Sequence, residues 1–388
     1  MRRRQFISLV GGAALAPLVA SRGYAGAADA FGVPAARDDG WPVVSLDEAR
    51  PIDRDALRRM ADRLSANADV HAVVVARGGR LMFEWYFRGN DEVPGRFFGH
   101  RVQNVTFDAD TLHTLKSASK GVMSLAMGIA IDRGLIPGVN EPIFNFFPEL
   151  SDLRSPKKDR IRLVDALNMS MGLKWVEATP ATGDYANDEA RMHIAWDPCR
   201  YVLGLPVTAP AGEEFFYNTG ALALIAAILR KATRRPFDEF VRETLFEPLG
   251  ITHVAWDRYW AEADAGGGLH LRPRDMAKIG QLILAGGYWN DRQVVSKAWI
   301  ETSTSPKLKA TDDQFYGYLW WFGRTPVNGR EVAWIGALGR GGQSIRIVPE
   351  LDLVVAVTAG YFQDYSPRAF QTQFGVFKDV LRAISPHA

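Results

Sequence analysis

Val70-His71-Ala72-Val73-Val74-Val75-Ala76-Arg77-Gly78-Gly79-Arg80-Leu81-Met82-Phe83-Glu84-Trp85-Tyr86-Phe87 reads as two β-runs, Val70 to Ala76 and Leu81 to Phe87, joined by a glycine turn. Just upstream, Leu57, Met60, Ala61 and Leu64 recur at helical spacing, with Asp53 placed as N-cap. The β signal returns only towards the other end, at Val332 to Ile335, Ser344 to Val348 and Leu351 to Thr358, closed by a helical pattern from Arg368 to Ile384. Between them the pattern is helical: Ser117 to Ile131, then shorter stretches at Ile161 to Leu167, Ala221 to Leu229, Phe237 to Leu245 and Asp275 to Leu284. Strands at both ends around a helical middle predict an α+β fold, in which residues 51–117 and 290–388 form an α/β domain and 118–289 a mostly helical inserted domain. A pocket is expected at the seam.

The chain has 388 residues, 47% hydrophobic and 23% charged, proportions that exclude disorder, collagen-like repeats and coiled coil as descriptions of the whole. One cysteine, Cys199, excludes an intramolecular disulfide framework and a cysteine-cluster metal site. Residues 1–27 begin Arg2-Arg3-Arg4-Gln5-Phe6-Ile7, run apolar to Ala20 and reach Ala25-Gly26-Ala27. That is the charged, apolar and small-residue order of an export signal peptide, and the paired arginines resemble a twin-arginine signal. A periplasmic or secreted protein with no stable membrane span after processing is therefore expected. Without the leader's arginines the formal charge of +2 becomes about −2, so no nucleic-acid partner is expected. Residues 28–50, rich in Ala, Gly, Pro and Asp, read as a tether.

A nucleophile search finds no Gly-x-Ser-x-Gly elbow and no His-Glu-x-x-His, which argues against an α/β-hydrolase and a zinc peptidase. No two of the seven histidines lie three or four residues apart, and all read as ordinary surface or packed residues. Ser-x-x-Lys occurs twice. Ser155-Pro156-Lys157-Lys158 sits in a solvated stretch, whereas Ser117-Ala118-Ser119-Lys120 opens an apolar helical one, where residues three apart share a face. Lys120 is thus placed beside the Ser117 hydroxyl, and in a dry pocket its pKa is expected below the usual ~10.4. Pro210 to Gly220 carries Tyr217 and Asn218 to the start of a helix, and Trp334-Ile335-Gly336-Ala337-Leu338-Gly339-Arg340-Gly341-Gly342-Gln343 offers the close backbone approach an oxyanion hole requires.

In this order and at these separations the three segments resemble the serine β-lactamase and penicillin-binding-protein superfamily, most closely its class C-like branch with carboxylesterases and 6-aminohexanoate-dimer hydrolases. The resemblance spans roughly residues 70 to 360 and takes in Leu163 to Leu173 and Gly267 to Ala277. It implies an antiparallel sheet flanked by helices, a chemistry without cofactor or metal, and a small ester, amide or lactam substrate. By position it makes Ser117 the acylated nucleophile, Lys120 its partner, Tyr217 a proton donor acidified by that lysine, and Ala337 the residue whose N–H joins that of Ser117 in the oxyanion hole. Trp334, Gly336, Asn218 and Arg340 become substrate contacts. Two departures stand out: Tyr217 and Asn218 are adjacent where Tyr-x-Asn is commonest, and Trp334 replaces the Lys or His that opens the third motif. An indole carries no charge for a substrate carboxylate, so an exported carboxylesterase is the expected function. The alternatives are a β-lactamase or D-alanyl-D-alanine peptidase on the same scaffold, and a catalytically silent cell-envelope binding protein.

Overall fold

The computed structural model describes residues 31–49, 51–94, 100–177, 186–260, 262–362 and 366–384, so the proposed leader lies outside the described residues. The two expected β-runs are β1 (Val70–Arg77) and β2 (Arg80–Tyr86), turned over Gly78 and Gly79, both at positive φ. Six strands from the far end of the chain complete the sheet: β3 (Leu308–Lys309), β4 (Gln314–Gly317), β5 (Trp320–Val327), β6 (Arg330–Gly339), β7 (Gln343–Val348) and β8 (Leu353–Ala359). The spatial order is β3-β4-β5-β6-β7-β8-β1-β2, every pair antiparallel. The two ends of the chain meet where β1 pairs with β8, Val73 opposite Val357. The fold is the expected α+β class.

Alternation assigns each residue of the inner strands to a face. Arg346 of β7 lies under Phe374 and Phe377 of α5 (Arg368–Ile384), while its neighbour Ile345 meets Gly280 of α4 (Pro273–Leu284) on the opposite side. The α5 face also carries α1 (Arg54–Ser65), whose first turn is capped by Asp53 accepting the Ala56 N–H at 2.9 Å. The α4 face carries α2 (Ser119–Asp132), on which α3 (Gly220–Thr233) packs in turn. Gly121 lets α2 lie directly on the Trp320 indole, where a Cβ would meet the ring at 2.6 Å.

Two expectations about organisation are corrected. Residues 32–388 form one compact unit, and one continuous core cluster runs from Val74 and Ile345 of the sheet through Leu125 of α2 to Phe240. The helical stretch has no core of its own because α2 and α4 bury one face on the sheet. The segment read as a tether is built in. Trp41, Val44 and Leu46 are buried, and Val44 donates its N–H to the Leu81 carbonyl at 2.9 Å. Asp39 faces Arg274 at 3.2 Å and Lys278 at 3.6 Å, and Arg274 also pairs with Glu84 at 2.6 Å. Its Gly, Pro and Asp composition masked these anchors. No helix among the described residues is long and apolar enough to cross a membrane.

Candidate active site

A three-stranded sheet of His113–Thr114, Leu269–Leu271 and Val254–Trp256 delivers the chain to the site. Leu115 donates its N–H to the Leu269 carbonyl at 2.8 Å, and the backbone then turns through Lys116 at φ 46°. Left-handed geometry is costly for a residue with a Cβ, so the turn must be held by its surroundings. Ser119 Oγ donates to the Lys116 carbonyl at 2.6 Å and accepts the Leu269 N–H at 3.3 Å. The residues Lys116–Ala118 form a 3₁₀ turn, and α2 begins only at Ser119.

Lys120 is buried at 2% exposure and donates from Nζ to Ser117 Oγ at 2.9 Å and to the Gly266 carbonyl at 2.7 Å. Tyr217 closes the triangle: its ring centroid lies 5.1 Å from Lys120 Nζ, and it interacts electrostatically with both the Ser117 and the Lys120 side chains. The register is settled by Met169. Its carbonyl accepts the Phe216 N–H at 2.7 Å and its sulfur the Asn218 N–H at 3.3 Å, which directs Tyr217 the other way and leaves Phe216 53% exposed. Phe215, Tyr316 and Trp321 pack round Tyr217 as an aromatic wall, Trp321 stacked at 6.2 Å.

Behind Lys120 stand two carboxylates that sequence reading did not single out. Glu177 accepts the Thr219 N–H at 2.7 Å and its hydroxyl at 2.9 Å. Glu189, on the short helix Asp188–Ile194, has its pKa raised to about 7, by burial first and by Glu177 second. They reverse one expectation. Burial does pull the Lys120 pKa down, but Tyr217, Glu177 and Glu189 together outweigh it, and the pKa ends above the usual lysine value. Tyr217 is not acidified either: burial raises its pKa by more than Lys120 lowers it. Tyr217 holds the lysine proton through its charge only as phenolate, so the two groups titrate as one coupled pair, and both shifts point upward. Finding these carboxylates needs the fold, since Glu177 is 57 residues from Lys120 in sequence.

The third motif is placed differently from expectation. Trp334 is 3% exposed on the α5 face of the sheet, where Nε1 donates to Thr325 Oγ1 at 3.0 Å and Arg346 lies over the ring at 5.0 Å. It cannot contact substrate at Ser117, and Gly336 shares its face. Ala337 pairs with Ile345 on the site side, and the strand also meets the nucleophile turn at Gly339, where a Cβ would sit 2.2 Å from the Leu115 carbonyl and 3.2 Å from the Ala118 nitrogen. Asn218 is buried beneath the site, its Oδ1 against Gly220 beside Trp175. Arg340 is exposed at the rim, donating to the Phe362 carbonyl at 2.6 Å, and its charge acts on Glu189. Lys158 turns its amine to the Leu203 carbonyl at 2.5 Å and gives Ser155 Oγ its backbone N–H at 3.3 Å instead.

The sequence and the fold match one family. The Beta-lactamase family profile covers residues 57–374, and the chain belongs to that family. Among individual proteins, it is 24% identical over 372 residues to the 6-aminohexanoate-dimer hydrolase of Paenarthrobacter ureafaciens, covering 88% of this chain and 84% of that one. The fold is shared with a penicillin-binding-protein homologue from Caulobacter crescentus, at TM-score 0.62, 18% identity and coverage of 84% and 97% of the two chains. It is shared equally with EstCE1, a hydrolase with promiscuous acyltransferase activity, at TM-score 0.62, 14% identity and coverage of 85% and 98%. The protein is a hydrolase of the β-lactamase fold.

Proposed function

We propose that this protein is an exported carboxylesterase working through an acyl-enzyme on Ser117. The observation that carries the reading is the 2.9 Å contact between Lys120 Nζ and Ser117 Oγ, with the Tyr217 ring 5.1 Å from the same amine. Ser117 attacks the ester carbonyl while its proton passes to the Lys120/Tyr217 pair after the pair has lost one of its own. The tetrahedral oxyanion is held by backbone N–H groups of Ser117 and of the β6 end that Gly339 brings against it. Tyr217 then protonates the leaving alcohol, and water, activated by the same pair, releases the acid. Preference for an uncharged ester rests on the surroundings of Lys120: Glu177 and Glu189 repel a substrate carboxylate, and an aromatic wall lines the other side.

Amide cleavage is the second reading, favoured by the 6-aminohexanoate-dimer hydrolase similarity over 88% of the chain. The ester reading is tested by comparing kcat/KM for short-chain p-nitrophenyl esters with that for a chromogenic cephalosporin. We expect the esters ahead by ~100-fold or more, about 2.7 kcal/mol of transition-state stabilisation. A cephalosporin that matches the esters makes the protein a β-lactamase instead.

A further inference from the structure

His71, in β1, and His113, four residues before the nucleophile, lie 42 positions apart yet meet in the core at 0% and 1% exposure. His71 Nδ1 and His113 Nε2 face each other at 2.7 Å. The outer nitrogens face backbone carbonyls: His71 Nε2 the Asn90 oxygen at 2.9 Å, His113 Nδ1 the Thr114 oxygen at 2.9 Å. A carbonyl only accepts, so both outer nitrogens carry the proton. Two neutral imidazoles hold two protons, both now used, and the inner nitrogens therefore present lone pairs to each other. The arrangement is one cation short. A third proton would leave an imidazolium against Phe107, stacked on His71 at 4.0 Å, and Phe362.

We propose that His71 Nδ1, His113 Nε2 and the Asp91 carboxylate form a binding site for one Zn²⁺ ion. Their ligating atoms lie within 4.8 Å of one another, and this is the only such group of three among the described residues. Outer N–H groups donated to backbone carbonyls are what metal-ligating imidazoles normally show, because that bond fixes the tautomer that leaves the inner nitrogen free. The His71 ring is also clamped. A Cβ on Gly360 would meet it at 2.7 Å and one on Gly89 at 2.7 Å, so the ligand is oriented before the ion arrives. Opening the nitrogen pair by roughly half an ångström seats zinc ~2.0 Å from each, and two imidazoles with one carboxylate suit that ion. Asp91 is half-buried, which leaves the fourth position for water. The site is structural: it ties β1 and the hairpin Arg88–Pro94/His100–Thr106 to the strand leading into Ser117.

The test uses untagged, chelator-stripped full-length protein reloaded with Zn²⁺ and dialysed. We expect one zinc per chain by elemental mass spectrometry, a higher Tm on loading, and visible d–d absorption when Co²⁺ replaces zinc. Asp91→Asn, at a half-buried position, should weaken binding by about tenfold or more, the scale for losing a metal-site partner. His113→Gln should abolish it. Wild-type protein that retains no zinc and shows neither Tm shift nor Co²⁺ bands overturns the proposal and leaves the pair joined by a proton. Stoichiometric binding that survives unchanged in Asp91→Asn overturns it too, since the ion then sits elsewhere. The wild-type readouts decide the matter even if His113→Gln does not fold.

Discussion

Lys120 is pulled in two directions, and the balance decides how the nucleophile is activated. Burial favours a free amine, while Tyr217, Glu177 and Glu189 favour the ammonium and prevail. The Tyr217 pKa is raised as well, so neither group offers a base near neutrality. Reaction needs the pair to lose a proton, and raised pKa values place that loss on the alkaline side. The kcat/KM for a neutral ester should therefore climb with pH between 7 and 9, approaching tenfold per unit. A profile already flat at pH 7 would mean the lysine is free in the resting enzyme. Glu189→Gln removes one of the charges that hold the proton, so the climb should begin roughly half a unit to one unit lower. At this scale the sequence was informative wherever neighbours in the chain are neighbours in space. Ser117 and Lys120 share one turn, whereas Glu177 and Glu189 reach the amine only through packing.

Two elements behave contrary to their composition. The stretch from Gly32 to Ala49 looks like a linker, yet its buried Trp41 and Leu46 and the ion pairs of Asp39 fasten it to β2 and α4. Asp39→Ala leaves Lys278, whose side chain is fully buried, with less compensating charge, and should cost about 2–4 kcal/mol. We expect a Tm lower by roughly 5 °C or more; an unchanged Tm would return the segment to the status of a tether. The second element is β6. Sequence reading found a strand at Val332 to Ile335, but the third motif's side chains depend on alternation, and one residue's difference in register exchanges the faces. Trp334→Phe should leave KM for an ester within about twofold while lowering Tm, through loss of the Thr325 hydrogen bond. A large change in KM with unaltered Tm would put the indole back in the site. Strands β3 to β5 escaped prediction because they are short or interrupted, β5 containing Gly323 and Pro326.

At the scale of the whole molecule, the order of strands, helices and strands was legible because hydrophobic period survives in a single sequence. Val70 to Ala76 and Arg368 to Ile384 form the expected elements almost residue for residue. What period cannot show is how the parts share surface: the sheet and the helical stretch bury one common core, and the site lies where α2, β6 and the turn at Lys116 converge. Family and fold follow from that architecture; the acyl-enzyme chemistry is the central claim placed upon it. The most direct measurement is to treat the full-length protein with a fluorophosphonate and locate the adduct by peptide mass spectrometry. The account predicts a single adduct on Ser117, with esterase kcat lowered on the order of 10⁴-fold or more in a folded Ser117→Ala variant. An adduct on Ser155 or another serine, or an Ser117→Ala protein that still turns over ester, would contradict it.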